Sequence, residues 1–290
     1  MQVISTKQEI IRQVEACIRQ GKTIGFVPTM GALHAGHAAL VQRAVAENDV
    51  CVVSVFVNPT QFNNAEDLLK YPRNLAKDAE LLESIGAHFV FAPTPEEMYS
   101  ADEMNSTFSF DFCGLDQVME GKMRPGHFNG VVQVVSRLFD IIRPTRAYFG
   151  EKDFQQLAII QHMVLRSSLA ERYKGLTIIP CPIVREESGL AMSSRNERLS
   201  AEERTTAVAI SQTLFQSVEW AKTMSVAQVQ QQVVDAINAI PSLEVEYYEI
   251  VDKTTLLPTT TFANAIGCVT VYCGPVRLID NIQYSISNNQ

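Results

Sequence analysis

The sequence predicts an α/β fold: a doubly wound parallel sheet over residues 1–175, then a smaller α+β domain over residues 176–290. Three observations predict it. Short apolar runs alternate with amphipathic helical patterns through the first part, as in a parallel sheet with helices on both faces. One run, Val50 to Val57, is almost wholly apolar and rich in β-branched residues, as a strand buried on both sides must be. After residue 175 the alternation stops, and two helical patterns precede two strand patterns.

Each element has a local reason. Thr6-Lys7-Gln8-Glu9 has the form of a capping box, and Ile10, Ile11, Val14, Cys17 and Ile18 follow helical spacing until Gly21. Thr23 to Val27 reads as a short buried strand, and Leu40, Val41, Ala44 and Val45 then mark one face of a helix. Asn58-Pro59 ends the Val50 strand. Leu75, Ala79, Leu82 and Ile85 share one side of a helix, and His88 to Phe91 is strand-like. A long helix from Phe128 to Ile142 precedes the strand Ala147 to Phe149, and another helix runs from Phe154 to about Ser168. Ser200-Ala201-Glu202-Glu203 and Ser225-Val226-Ala227-Gln228 cap helices reaching Trp220 and Ile240, followed by strands Val245 to Val251 and Ile266 to Tyr272.

Composition narrows the function classes. At 46% hydrophobic and 19% charged, the 290 residues are those of an ordinary globular protein. A net charge of −8 argues against broad nucleic-acid binding, so any polyanion must meet locally concentrated cations. The six cysteines form no CxxC pair and read as reduced thiols. No basic segment precedes an apolar core at the N-terminus, and no apolar run approaches bilayer length. The expectation is a cytoplasmic protein that does not engage a membrane.

Three distant segments carry chemistry: Pro28-Thr29-Met30-Gly31-Ala32-Leu33-His34-Ala35-Gly36-His37, Gly150-Glu151-Lys152-Asp153, and Met192-Ser193-Ser194-Arg195-Asn196. The first two follow strands, as does Asn58-Pro59-Thr60-Gln61, and ligands of such sheets bind beyond the strands' carboxyl ends. His34 and His37 lie three residues apart where a helix opens, so their imidazoles and the helix N-terminus suit a phosphate. Two capping histidines, or half of a zinc site, are the other readings of that pair. Lys152 reads as a phosphate-binding cation or a solvated charge, with Asp153 a helix cap or a ribose contact. Met192 to Asn196 offers hydroxyls and a guanidinium in a loop after Gly189, and reads as an ordinary polar loop or as a clamp for a triphosphate. Gln61 and Gln156 read as exposed glutamines or as readers of a small polar substrate, and Met30 and Phe62 as core residues or as its apolar wall. Arg124-Pro125-Gly126-His127-Phe128 is either a plain turn or a cover for a second substrate. Asp78 is a candidate Mg²⁺ ligand, or a solvated group on a helix surface. Together these segments suggest attack at the α-phosphate of a nucleoside triphosphate.

With Val57-Asn58-Pro59-Thr60-Gln61-Phe62, Phe149 to Gln156 and Gly189 to Asn196 added, the chain resembles the pantothenate synthetases, or pantoate–β-alanine ligases, over nearly its whole length. The resemblance implies ATP-dependent ligation of pantoate to β-alanine through a pantoyl adenylate, releasing AMP and pyrophosphate. It implies a Rossmann-like N-terminal domain, a C-terminal lid, a homodimer, and ATP with Mg²⁺. By the same resemblance His37 is the proton donor, and His34, Lys152 and Arg195 complete the catalytic set. ATP falls to Met30, Gly31, Ala32, Leu33, His34, Ala35, Gly36, His37, Gly150, Glu151, Lys152, Asp153, Val184, Met192, Ser193, Ser194 and Arg195. Pantoate and β-alanine fall to Asn58, Gln61 and Gln156. Two positions depart from the family pattern: Ala35 stands where an acidic residue is frequent, and Thr60 where methionine is.

Overall fold

A computed structural model describes residues 1–63, 65–100, 102–103 and 108–284. Gln2–Ile4 (β1), Ile24–Thr29 (β2), Val50–Val55 (β3), Phe89–Phe91 (β4), Arg146–Gly150 (β5) and Thr177–Cys181 (β6) build one sheet in the order β1-β4-β3-β2-β5-β6, every pairing parallel. Alternate residues point to opposite faces. Phe26, Val52, Phe91 and Phe149 join one apolar cluster, while Val27, Val53, Val90 and Tyr148 join another. Lys7–Arg19 (α1), His127–Ile142 (α4) and Phe154–Leu165 (α5) feed side chains to the first cluster. Ala35–Glu47 (α2) and Leu75–Ile85 (α3) feed the second. The sheet is therefore covered on both faces, which is why its strands are apolar throughout rather than alternating.

From β2 the chain builds outward through β3 to β4, then returns to place β5 on the other side of β2. The strand order reverses there, and sheets of this kind bind ligands beyond the carboxyl ends of the strands at such a point, here β2 and β5. The loops leaving β2, β3 and β5 are Met30–His34, Phe56–Gln61 and the turn Glu151–Asp153.

A separate antiparallel sheet holds Leu243–Asp252 (β7), Ala265–Cys273 (β8) and Val276–Tyr284 (β9) in that order. Ala201–Trp220 (α6) and Val226–Asn238 (α7) bury Ala207, Ile210, Leu214, Val229, Val233 and Ile237 with the sheet's Tyr248, Ile250, Val269, Val271 and Leu278. Both helices begin with the capping boxes expected, Ser200 with Glu203 and Ser225 with Gln228. Among the described residues, no helix is long and apolar enough to cross a membrane.

The chain divides into two units. One takes Met1–Asp116, Gly121–Glu151 and Gln156–Pro182; the other takes Gln117–Glu120, Lys152–Gln155 and everything from Ile183. A boundary after residue 175 cuts ahead of β6, which pairs with β5 along its whole length and so belongs to the first sheet. Three strands were not expected: β1, β6 and β9. β6 carries Pro180, which a strand tolerates at a sheet edge, where β6 lies. β9 carries Arg277, Asp280 and Asn281 within its apolar pattern, and these polar groups are paired inside the sheet's unit.

Candidate active site

In the first unit the site starts with strained backbone. After β2 the chain turns through Gly31 at φ +81° and Ala32 at φ +51°. Thr29 Oγ1 accepts the Gly31 N–H at 3.2 Å and donates to the Ser54 carbonyl at 2.7 Å. Asp78, in the first turn of α3 and only 3% exposed, accepts the N–H groups of Ala32 at 3.0 Å and Leu33 at 2.8 Å. A Cβ on Gly31 would lie 2.9 Å from Asp78 Oδ2, so glycine serves both the left-handed turn and the close carboxylate. This corrects the expectation for Asp78. It is not a solvated helix-surface group, and both its oxygens face backbone donors.

His34 is the N-cap of α2. Its Nδ1 accepts the Gly36 N–H at 3.1 Å, and His37 Nδ1 accepts the His34 N–H at 3.4 Å. The ring centroids are 4.1 Å apart. An imidazole whose Nδ1 accepts keeps its proton on Nε2. The capping reading and the phosphate reading are thus compatible, since the cap engages Nδ1 of each ring and so places the ring proton on Nε2. Among the described residues no group of three or more His, Cys, Asp or Glu side chains is arranged to hold a metal, so the zinc reading of the pair gains no partner.

The expected substrate readers lie in the same unit. Asn58 is 1% exposed and holds the turn Pro59–Gln61. Its Oδ1 accepts from Thr60 N–H at 3.4 Å and Tyr99 O–H at 2.9 Å, and its Nδ2 donates to Gln61 Oε1 at 3.2 Å and the Gly130 carbonyl at 3.1 Å. Burial pushes the Tyr99 phenol up to about 12, so it remains a donor at neutral pH. Asn58 therefore shapes the turn, and Gln61 is the amide it orients. Gln61 Nε2 reaches Met30 Sδ at 2.9 Å, bringing together two residues predicted to line one subsite. The Arg124–His127 segment meets the same turn, with His127 Nδ1 2.8 Å from the Gln61 carbonyl and Arg124 Nη1 3.3 Å from His127 Nε2. A donor at Nδ1 and an acceptor at Nε2 satisfy both contacts. The segment is thus a brace rather than a plain turn. Gln156 is half-buried near the start of α5.

The cations belong to the second unit. Lys152 Nζ is 3.4 Å from Asp153 Oδ2, and its side chain is 15% exposed. The next expected segment is a hairpin: Met192 N–H donates to the Val184 carbonyl at 3.0 Å, Arg185 bridges Ala191, and Glu186 N–H reaches the Leu190 carbonyl at 2.9 Å. Val184 and Met192, both assigned to ATP, are thus neighbours. Ser193 caps the following turn, its Oγ accepting the Arg195 N–H at 3.3 Å. Behind the turn Asn196, 3% exposed, donates to the Ala191 carbonyl at 3.0 Å and Glu186 Oε1 at 3.1 Å. Arg204 donates to the same Glu186 carboxylate at 2.5 and 3.0 Å. Sequence reasoning missed Tyr99, Asp280 and Asn281, which touch these loops from behind. For the last two the available signal was an acidic–amide pair interrupting an apolar strand pattern.

The likeness to known proteins spans nearly the whole chain. A family model described as pantoate-beta-alanine ligase matches residues 2–283. The pantothenate synthetase of Phocaeicola vulgatus is 60% identical over 287 residues, 98% of this chain and 99% of its own length. Among solved structures, a pantothenate synthetase from Thermus thermophilus is 42% identical with a TM-score of 0.89, covering 98% of this chain and 100% of that one. A pantoate-beta-alanine ligase from Francisella tularensis, complexed with beta-gamma ATP and β-alanine, is 33% identical with a TM-score of 0.81, covering 99% of each chain.

Proposed function

The chain belongs to the pantoate-beta-alanine ligase family, so it joins pantoate to β-alanine with ATP, and we propose that it does so in two steps at the loops described above. In the first step the pantoate carboxylate, already ionised at neutral pH, attacks the α-phosphorus without help from a base. Pyrophosphate leaves, and pantoyl adenylate remains bound. This step needs the triphosphate held in line and its growing charge neutralised. His34 and His37 supply Nε2–H donors, with His37 the proton donor, and Lys152 and Arg195 supply the cations. Met30–His37, Gly150–Asp153, Val184 and Met192–Arg195 hold ATP. Gln61 and Gln156 hold pantoate, Gln61 also borders β-alanine, and Asn58 acts through Gln61. In the second step the free amine of β-alanine attacks the acyl carbon, the acyl–oxygen bond to AMP breaks, and the nitrogen loses a proton as the amide forms. A mixed anhydride hydrolyses in water, so the bound intermediate must be kept from solvent until the amine attacks.

Asp78, with both oxygens at backbone N–H groups, does not fit a dedicated magnesium site, and no described cluster of three ligand side chains replaces it. Magnesium enters this reading as the ion that ATP carries on its own phosphates. The homodimer follows from the family resemblance. The cytoplasmic assignment rests on six free thiols, the usual state in a reducing compartment.

One observation carries the reading of the first step. Two imidazoles with Nδ1 fixed by backbone N–H groups stand at the N-terminus of the helix that follows β2, on the strand edge where such sheets bind ligands. The test is pantoate-dependent exchange of label between pyrophosphate and ATP. Lys152→Ala and His37→Ala should each lower the exchange rate by about 100-fold or more without unfolding the protein. Wild-type exchange rates in either variant would remove that residue from the mechanism. Exchange that proceeds without pantoate would reject the adenylate.

A further inference from the structure

Two polar neighbours inside β9 have no role in the reaction as described. Asp280 is 5% exposed and Asn281 is 3% exposed. Both sit in the middle of the strand, opposite Val269 and Cys268 of β8. Asn281 Nδ2 donates to the backbone carbonyl of Lys152 at 3.0 Å. Asp280 takes a two-pronged bond from Arg185, Nη1 to Oδ2 at 2.7 Å and Nη2 to Oδ1 at 2.9 Å, and accepts the Asn281 N–H at 2.8 Å. Arg185 Nη1 also donates to the Gly189 carbonyl at 3.2 Å, which fixes the tip of the hairpin that ends at Met192. One dipeptide of one strand therefore touches the Lys152 turn and, through a single arginine, the tip of the hairpin that leads into the Ser193–Arg195 loop. All of these residues lie in the same unit.

We infer that Asp280 and Asn281 are positioning residues, which set the spacing between the Lys152 ammonium and the Ser193–Arg195 loop for in-line displacement at the α-phosphate. The inference rests on the assignment of those two segments to ATP. Stability alone gives a poor reason for the pair. Replacing a buried ion pair by well-packed apolar residues of similar volume is often neutral or stabilising. Geometry gives a good one. Displacement at phosphorus depends almost wholly on placing charges, and a shift near 1 Å in a gripping group costs about 100-fold in rate. Lys152 and Arg195 each lie in a 3-10 turn of only three and five residues, Glu151–Asp153 and Ser194–Arg198, so regular secondary structure does little to fix either. Tying both to adjacent residues of a three-stranded sheet removes that freedom.

The experiment uses the full-length enzyme and Asn281→Leu, which keeps the volume and removes the donor. Pantoate-dependent pyrophosphate–ATP exchange, thermal melting and KM for β-alanine in the full reaction are measured. The expected result is a folded protein whose exchange kcat/KM for ATP falls about 100-fold while KM for β-alanine stays within a factor of about two. In a Lys152→Ala background the same change should cost less than about threefold, because a residue that acts through Lys152 has nothing left to position. Exchange at the wild-type rate overturns the inference, and so does an equal loss in both backgrounds. Should Asn281→Leu melt more than roughly 10 °C early, Asn281→Ala, which leaves room for a water at the same carbonyl, is put through the same measurements. If it too melts early, the pair is a folding device and the inference fails. Absence of exchange in the wild type would instead reject the underlying assignment to adenylate chemistry.

Discussion

At the scale of single residues, the proposed reaction has the same side chain serve structure and chemistry at different atoms. His34 and His37 use Nδ1 on backbone N–H groups, so their tautomer is set before any ligand arrives. The spacing of the pair was plain in the sequence. Its tautomer was not, because the tautomer follows from hydrogen bonds formed only when Gly36 and His34 adopt the N-cap geometry. Asp78 was visible as a carboxylate of the first turn of α3, but its target lies 45 and 46 residues away at Leu33 and Ala32. Asp78→Asn places an N–H donor against one of those backbone donors in a buried site, which costs about 2 kcal/mol. The Met30–Leu33 turn should relax, and KM for ATP should rise by about tenfold with the Mg²⁺ concentration for half-maximal rate unchanged. Exchange assays titrating ATP and Mg²⁺ separately check this. A matching rise in the Mg²⁺ requirement would mark Asp78 as a ligand after all.

At the scale of elements, α4 meets the turn after β3 at a glycine. A Cβ on Gly130 would lie 2.5 Å from the Thr60 carbonyl oxygen and 2.7 Å from its carbon, both backbone atoms that cannot swing away. Gly130→Ala gains up to about 1 kcal/mol of helix propensity in the abstract, but it must push the Asn58–Gln61 turn outward. The expected outcome is a rise of about tenfold or more in KM for pantoate with a smaller change for ATP, read by steady-state kinetics. The elements best foretold were those with caps or long apolar faces: α1, α6, α7 and β3. The missed strands fail by the same logic. β6 is interrupted by Pro180, β1 is three residues long, and β9 is broken by polar residues whose partners come from distant segments.

At the scale of the whole molecule, the second unit is assembled from three stretches of chain, and its integrity depends on an excursion before α4. Glu120 accepts from Arg277 Nη1 at 2.9 Å and Nη2 at 2.7 Å, from Tyr247 O–H at 2.9 Å and from Thr270 Oγ1 at 3.0 Å. Its side chain is 12% exposed and that of Arg277 14%. Glu120→Ala leaves those donors without their shared acceptor and should destabilise the protein by about 3 kcal/mol, seen as a lower midpoint in thermal or urea unfolding. Glu246 Oε2 also accepts from Arg277 Nε at 2.9 Å, and a midpoint equal to wild type would show that this carboxylate alone satisfies the guanidinium. The sequence by itself determined the alternating α/β pattern and the α+β tail, and it marked the loops proposed to carry the chemistry, because periodicity, caps and Gly–Pro punctuation act over a few residues. Only the tertiary structure decided that Asp78 clamps the turn after β2, that Asn58 serves Gln61, and that Asp280 and Asn281 stand behind Lys152 and the Arg195 loop. Asn58 reaches Gln61 across only three residues, but it is held there by Gly130 and Tyr99, and the other roles too are hydrogen bonds between segments tens to more than a hundred residues apart; no local pattern encodes which distant donor a buried acceptor will meet.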